Sequence, residues 1–399
     1  MLIACPSQRS EKLAERVESF IRDVVVPYER DPRNGPHGPS AQLVAELRQL
    51  ASRDGLMTPH ILPNGEHLSQ AETAAVLERS GLSPLGPVAV NTMAPDEGNM
   101  FLLGKVATPE QKELYLQKLV SGAARSAFFM TEPAEEDGAG SDPSMLKTRA
   151  RLDGGQWVID GTKTFITGAD GASVGIIMAL TDDSVAAKAT MFLVDLPHPA
   201  VVIERVLDTI DSSMPGGHSR VAIRGLRLPP SAVLGEVHAG FHYAQVRLAP
   251  ARLSHCMRWL GSATRAHEIA VGYATKRRAF GKPLIDHEGV GFMLADNLID
   301  LKQSALMIEW CAGVLDSGSR ANVESSMTKV AVSEALYRVA DRCVQVMGGS
   351  GVSKDSIVEQ VFREIRAFRI YDGPTEVHKW SLAKKMKKVA SEGDYRVGK

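Results

Sequence analysis

Most side chains of this 399-residue sequence that could do covalent or metal chemistry are not spaced to do it. Cys5, Cys256, Cys311 and Cys343 lie far apart and form no CxxC pair. Zinc and dithiol chemistry therefore have no ligand set, and a reducing compartment fits best. The phosphate-loop consensus and HExxH are absent, and no GxGxxG follows a strand pattern, which disfavours a Rossmann-type dinucleotide site. What remains is one carboxylate in Asp372-Gly373-Pro374, the pair Gly348-Gly349, an acidic run at Glu135, Glu136 and Asp137, and four lysines at 384, 385, 387 and 388. Taken alone, each has a plain structural reading. Asp-Gly-Pro makes a turn before a helix, Gly-Gly ends one, and lysines favour a helix C-terminus.

The elements that must position these residues follow from hydrophobic spacing. Leu13, Val17, Phe20 and Val24 fall four, three and four apart, which predicts a helix ended by Pro27. Ser69 with Glu72, and Thr108 with Pro109 and Gln111, read as helix starts, and Gly122 as a stop. From about residue 127 the pattern changes to short β-rich runs at 156–159, 164–167, 174–180, 191–196 and 201–206. Asp160-Gly161, between the first two runs, predicts a hairpin turn. Helical spacing then returns on long segments. Val290, Leu294, Leu298, Leu301, Ala305, Ile308, Ala312 and Leu315 form one stripe, and Val332, Leu336, Val339, Cys343 and Val346 another. Long amphipathic helices need partners, so a bundle is expected. The expected fold class is α+β, with a helical domain over 1–126, a mostly antiparallel, barrel-like β domain over 127–235 and a four-helix bundle over 236–399.

Composition excludes some function classes. The sequence is 44% hydrophobic and 23% charged, as globular proteins are, and a formal net charge of −1 gives no support to nucleic-acid binding. The longest apolar run, 174–180, is too short to span a bilayer. Leu2-Ile3-Ala4-Cys5 lacks the charged leader and apolar stretch of a lipoprotein signal, so a cytoplasmic protein without a membrane span is expected.

Five segments in order carry a family resemblance. They are Phe129-Met130-Thr131-Glu132-Pro133 followed by Gly138-Ala139-Gly140-Ser141-Asp142; Trp157 through Gly168; Tyr273-Ala274, Arg277 and Phe280-Gly281-Lys282-Pro283; Gln345-Val346-Met347-Gly348-Gly349; and Tyr371-Asp372-Gly373-Pro374. Together the sequence resembles the acyl-CoA dehydrogenases over nearly its whole length. Residues 91–100, NTMAPDEGNM, and 247–258, RLAPARLSHCMR, are similar to the branch of family members ten and eleven and their bacterial relatives.

The resemblance implies FAD as cofactor and α,β-dehydrogenation of an acyl-CoA thioester to the 2-enoyl-CoA. Such chemistry requires a base for the α-proton and a flavin N5 to accept hydride. Asp372 stands where most of the family has Glu and is implied as the base. Arg252 aligns with an active-site arginine. Phe128, Met130 and Thr131, with Phe165, Ile166 and Thr167, are implied at the flavin ring. Arg277, Phe280, His287, Gln345, Gly348 and Gly349 are implied at the remainder of FAD across a subunit boundary, and Pro374, Thr375 and Glu376 at its other side. Ser141, Tyr371 and Gly373 are implied at the substrate. The acidic run lengthens the stretch before Gly138 and would repel a polyanion there. The resemblance also implies a homodimer or homotetramer and an electron-transfer flavoprotein as acceptor. A flavin oxidase of the same fold, nitroalkane oxidase-like with Asp as base, and a catalytically silent FAD-binding scaffold are the alternative readings.

Overall fold

The structure is a computed structural model and describes residues 2–62, 65–140, 142–182 and 188–391. Among the described residues the longer helices of the leading part are α1 Gln8–Phe20, α2 Ala41–Arg53, α3 Gln70–Ser80 and α4 Asp96–Val106. Helix α1 buries Ala14, Val17 and Phe20 on the face that the spacing indicates, then passes through a wider π turn before Pro27. The capping box at Ser69 and Glu72 starts α3, and the one at Thr108 and Gln111 starts a short helix after α4. In each, the hydroxyl accepts from the third backbone N–H while the longer side chain accepts from the cap N–H.

The middle of the chain is one sheet built from β1 Ser126–Phe129, β2 Arg149–Asp153, β3 Gln156–Thr167, β4 Val174–Asp182, β5 Lys188–Asp195, β6 Val201–Leu207, β7 His218–Leu228 and β8 Val233–Leu234. Its order is β8-β5-β4-β2-β3-β7-β6, mostly antiparallel, with β1 joined to β4 in parallel. The turn expected at Asp160-Gly161 does not form. Residues 156–167 are a single strand, with a register shift between Ile159 and Gly161. The hairpin lies earlier, at Gly154 and Gly155, whose φ values of +58° and +79° suit a tight turn. Gly161 serves close approach instead, since a Cβ there would stand 2.4 Å from Thr148 Oγ1.

The chain closes with α5 Gly240–Lys276, α6 Glu288–Asp316, α7 Asn322–Met347, α8 Val358–Phe368 and α9 Thr375–Ser391. Leu294, Leu301, Ala305, Ile308 and Ala312 of the expected α6 stripe are buried, whereas Leu298 is exposed. The leading helices and the bundle share one apolar core, which runs from Val17 and Leu77 through Leu260 to Leu336 and Phe368. Separate apolar clusters line the two sides of the sheet.

Helices α3 and α5 cross with their backbones in contact. A Cβ on Gly81 would sit 1.9 Å from the Arg258 carbonyl oxygen, and one on Gly261 would sit 2.0 Å from that of Glu78. Ser262 Oγ donates to the Gly81 carbonyl at 2.6 Å across the same crossing. Only glycine allows this spacing. The crossing holds the middle of α5 beside α3 and α4, and that middle carries the polar residues described next.

Candidate active site

Asp372 lies in the loop between α8 and α9 with φ +52°, a left-handed conformation that Asp tolerates better than most residues. Three side chains hold its backbone. Arg252 Nε donates to the Asp372 carbonyl at 3.0 Å, His378 Nε2 bonds to the same oxygen at 3.1 Å, and Lys329 Nζ donates to the Gly373 carbonyl at 2.7 Å. Arg252 therefore positions the loop through its main chain. The carboxylate has a different partner, His255, with Nε2 3.3 Å from Oδ2.

The tautomer of His255 follows from its second contact. Arg258 donates to Nδ1 at 3.2 Å, so the ring proton resides on Nε2 and points at Asp372. Burial, then the charge of Arg258, pushes the His255 pKa down and keeps the ring neutral. The ring packs against both Phe368 and Tyr371, with centroids 5.9 and 4.8 Å away, and Trp259 Nε1 donates to the Tyr371 hydroxyl at 2.5 Å. For Asp372, burial pushes the pKa up. The His255 hydrogen bond and the charges of Arg247 and Arg252 outweigh burial and hold the carboxyl well below its usual range. The result is an ionised carboxylate whose side chain retains 20% exposure, framed by buried cations.

Arg247 connects this loop to the sheet. Its guanidinium lies 4.2 Å from the Phe128 ring centroid on β1, and Nε donates to Asn99 Oδ1 at 2.8 Å. Asn99 in turn donates to Ser126, which also bonds to Asp96. The expected site residues Asp372, Arg252 and Phe128 thus fall in one neighbourhood. His255, Arg247, Arg258 and Lys329 join them, although sequence reasoning did not select them. Residues 247, 255 and 258 share a helix face, and that spacing was the available signal.

The two β-domain signatures meet at the ends of β1 and β3. Thr131 Oγ1 donates to the Thr164 carbonyl at 2.5 Å, and the Thr164 N–H donates to the Thr131 carbonyl at 2.9 Å. Lys163 bonds to the carbonyls of Met130 and Met178 and to Glu132. Phe165 stands 60% exposed with φ +55°, while the side chain of Ile166 is buried in the sheet core. Thr167 Oγ1 lies 2.9 Å from His218 Nδ1, and His218 Nε2 lies 2.8 Å from Asp211.

The remaining expected residues sit apart from these. Phe280 is 95% exposed, with its ring edge-on to His287, and Arg277, Gln345, Gly348 and Gly349 lie on exposed surface of the bundle. Gly348 has φ +56°, so the chain leaves α7 in a conformation suited to glycine. Tyr371, Gly373 and Pro374 flank Asp372, Thr375 is buried against Glu334, and Glu376 is exposed. Ser141 lies outside the described residues. The acidic run is matched by a cation that the sequence did not single out: Arg220 pairs with Glu135, Glu136 and Glu204, and Lys147 donates to the Glu136 carbonyl.

Helices on either side of a mostly antiparallel sheet, with a half-buried acid on the loop before the last helix, define the class, and comparison with known proteins agrees. Residues 127–215 match the family model for the acyl-CoA dehydrogenase middle domain and residues 238–387 that for the acyl-CoA dehydrogenase C-terminal domain. Acyl-CoA dehydrogenase family member 11 of Gallus gallus is 34% identical over 97% of this chain, which covers 52% of that relative. The acyl-CoA dehydrogenase FadE2 of Mycobacterium tuberculosis is 34% identical over 88% of this chain and 87% of its own. A solved acyl-CoA dehydrogenase structure from Mycobacterium abscessus superposes with a TM-score of 0.87 at 34% identity, covering 98% of this chain and 100% of the other. The chain belongs to the acyl-CoA dehydrogenase family. It spans about half the length of the family member 11 relatives it matches. Among the described residues no helix is long and apolar enough to cross a membrane.

Proposed function

We propose that this chain is an FAD-dependent acyl-CoA dehydrogenase in which Asp372 takes the α-proton of an acyl thioester. The observation that carries the reading is the Asp372 carboxylate, kept ionised in a half-closed site by the His255 N–H and the buried Arg247 and Arg252. FAD, when bound, supplies the hydride acceptor for the β-hydrogen. The chain's own task is to hold the acid unprotonated, aim it through a clamped backbone, and offset negative charge that develops as the α-proton leaves. Met130, Thr131, Phe165, Ile166 and Thr167 would hold the flavin ring at the sheet ends. The fit rests on Phe165, a large apolar ring left 60% exposed beside Thr131 and Thr164, as a platform for a planar ligand would be. Arg277, Phe280, His287, Gln345, Gly348 and Gly349 would hold the rest of FAD for a second copy, with Pro374, Thr375 and Glu376 on the near side. Phe280, 95% exposed, supports that assignment and a homo-oligomer. Tyr371 and Gly373 would flank the thioester.

Anaerobic mixing of the purified yellow protein with a panel of acyl-CoAs tests the reading. Bleaching of the flavin by at least one thioester, with re-oxidation by an electron-transfer flavoprotein faster than by oxygen, is the expected result. A flavin that only oxygen re-oxidises, with peroxide formed, makes the protein an oxidase. A flavin that no thioester reduces makes it a scaffold.

A second expectation concerns pH. With His255 in place, the Asp372 pKa lies below its ordinary value, so kcat/KM should show no acid limb from this group above about pH 5. His255→Leu removes the donor and leaves burial less opposed, which raises the pKa. Activity should then fall as the pH is lowered through the new value, while wild type is flat there. Superimposable profiles would show that His255 is not what keeps the acid ionised.

A further inference from the structure

One group of donor atoms among the described residues takes no part in the proposed reaction. His60 follows α2, His67 pairs with Ile61 in an isolated antiparallel bridge, and Glu97 lies in the first turn of α4. One ligand atom from each residue lies within 4.8 Å of the others. His60 is fully buried, and neither of its ring nitrogens has a hydrogen-bond partner among the described residues. His67 Nε2 is likewise buried without a partner. Native interiors seldom leave such groups unpaired, because each lost its water on folding and gained nothing in return.

The hydrogen bonds around the group fix its donors. His67 Nδ1 lies 2.7 Å from the Leu68 carbonyl oxygen, which can only accept. The proton is therefore on Nδ1, and the Nε2 lone pair faces the cluster. A backbone carbonyl behind one ring nitrogen is the usual support for a metal-binding histidine. Glu97 Oε2 accepts from Ser254 Oγ at 2.6 Å, so its carboxylate is aimed from the α5 side. The rings of His60 and His67 pack edge-on at 5.2 Å, and Phe101 covers His67 at 5.8 Å.

We infer that His60, His67 and Glu97 form a binding site for one divalent cation of borderline softness, with zinc the first choice. Two imidazoles and a carboxylate suit zinc, cobalt or nickel, whereas calcium and magnesium prefer oxygen donors throughout. Zinc bonds of about 2.0–2.1 Å set tetrahedral ligand atoms roughly 3.3 Å apart, so donors within 4.8 Å close onto the ion by side-chain rotation. Three protein donors leave the fourth position to water. Arg258, 3.8 Å from Glu97, opposes a dication, so micromolar rather than much tighter binding is expected. A bound ion ties His60 and His67 to α4 and, through Ser254, to α5. This site stands whether or not the reaction proposed above is correct.

Metal content decides it. The FAD-loaded protein is stripped with EDTA, dialysed to equilibrium against micromolar zinc and assayed by mass spectrometry beside His60→Leu and His67→Gln. His67→Gln removes the ligand but keeps an N–H for Leu68. The expected result is about one zinc per chain in wild type, a higher thermal midpoint reversed by EDTA, and loss of both in the variants at unchanged flavin content. Wild type that takes up no zinc, or variants that retain it in full, would overturn the site. Should a variant fail to fold, the wild-type stoichiometry and its competition with a chromophoric chelator still decide between a site and none.

Discussion

Asp372→Asn is expected to yield a folded yellow protein whose flavin no acyl-CoA bleaches at a useful rate. Asparagine is close in shape, and its carbonyl oxygen can still accept from His255 Nε2. It also tolerates the left-handed backbone at this position. The contacts from Arg252 and His378 reach the backbone oxygen, so the substitution leaves them in place. What disappears is the proton acceptor. Loss of a general base costs about 10²–10⁴-fold in rate, and the upper end is expected here because no second carboxylate bonds to His255 among the described residues. Stopped-flow reduction under anaerobic conditions measures it. A variant within tenfold of wild type would remove Asp372 from the chemistry.

The largest expected loss of stability is at Lys163→Met. Lys163 is fully buried, 2.9 Å from Glu132, and both side chains are almost wholly inside. Burial, partly opposed by Glu132, pushes the Lys163 pKa down to about 8. Removing the cation leaves Glu132 with three donors, from the Lys147 and Thr148 backbone and the Thr148 hydroxyl, but no countercharge. Breaking a buried pair from one side costs about 3–5 kcal/mol, and those donors place this case near the lower bound. Urea unfolding checks the size. A loss under about 1 kcal/mol would mean that the pair contributes little. Glu132→Gln combined with Lys163→Met should recover part of the loss, because no unpaired charge remains. The same change frees the Met130 carbonyl, so FAD should dissociate more readily than from wild type.

Periodicity made the plan of the fold legible, because the change from helical spacing to short β runs and back needs no long-range information. The caps at Ser69 and Thr108 were legible for the same reason, since each is complete within four residues. Asp160-Gly161 misled because Asp-Gly suits a tight turn wherever it occurs. Here Thr148 presses on Gly161 from a neighbouring segment, and the glycine answers that contact instead. The resemblance pointed to Asp372 and to Arg252 beside it, but not to His255. His255 meets Asp372 across more than a hundred residues, and helix spacing alone cannot tell a buried histidine from a solvated one. The threat posed by Glu135 and Glu136 was overstated in the sequence because Arg220, their partner, comes from β7.

The backbone crossing of α3 and α5 reaches further than packing. Arg258 contributes its carbonyl to the contact with Gly81, and its guanidinium sets the proton on His255. A methyl group added at Gly81 or Gly261 would act as a wedge, prising α5 outward and lifting Arg258 away from the ring. The histidine would then be free to turn its proton elsewhere, and the acid would lose its restraint with no site residue altered. Two glycine hydrogens at a helix crossing thus act as the stop against which Arg258, His255 and Asp372 are set.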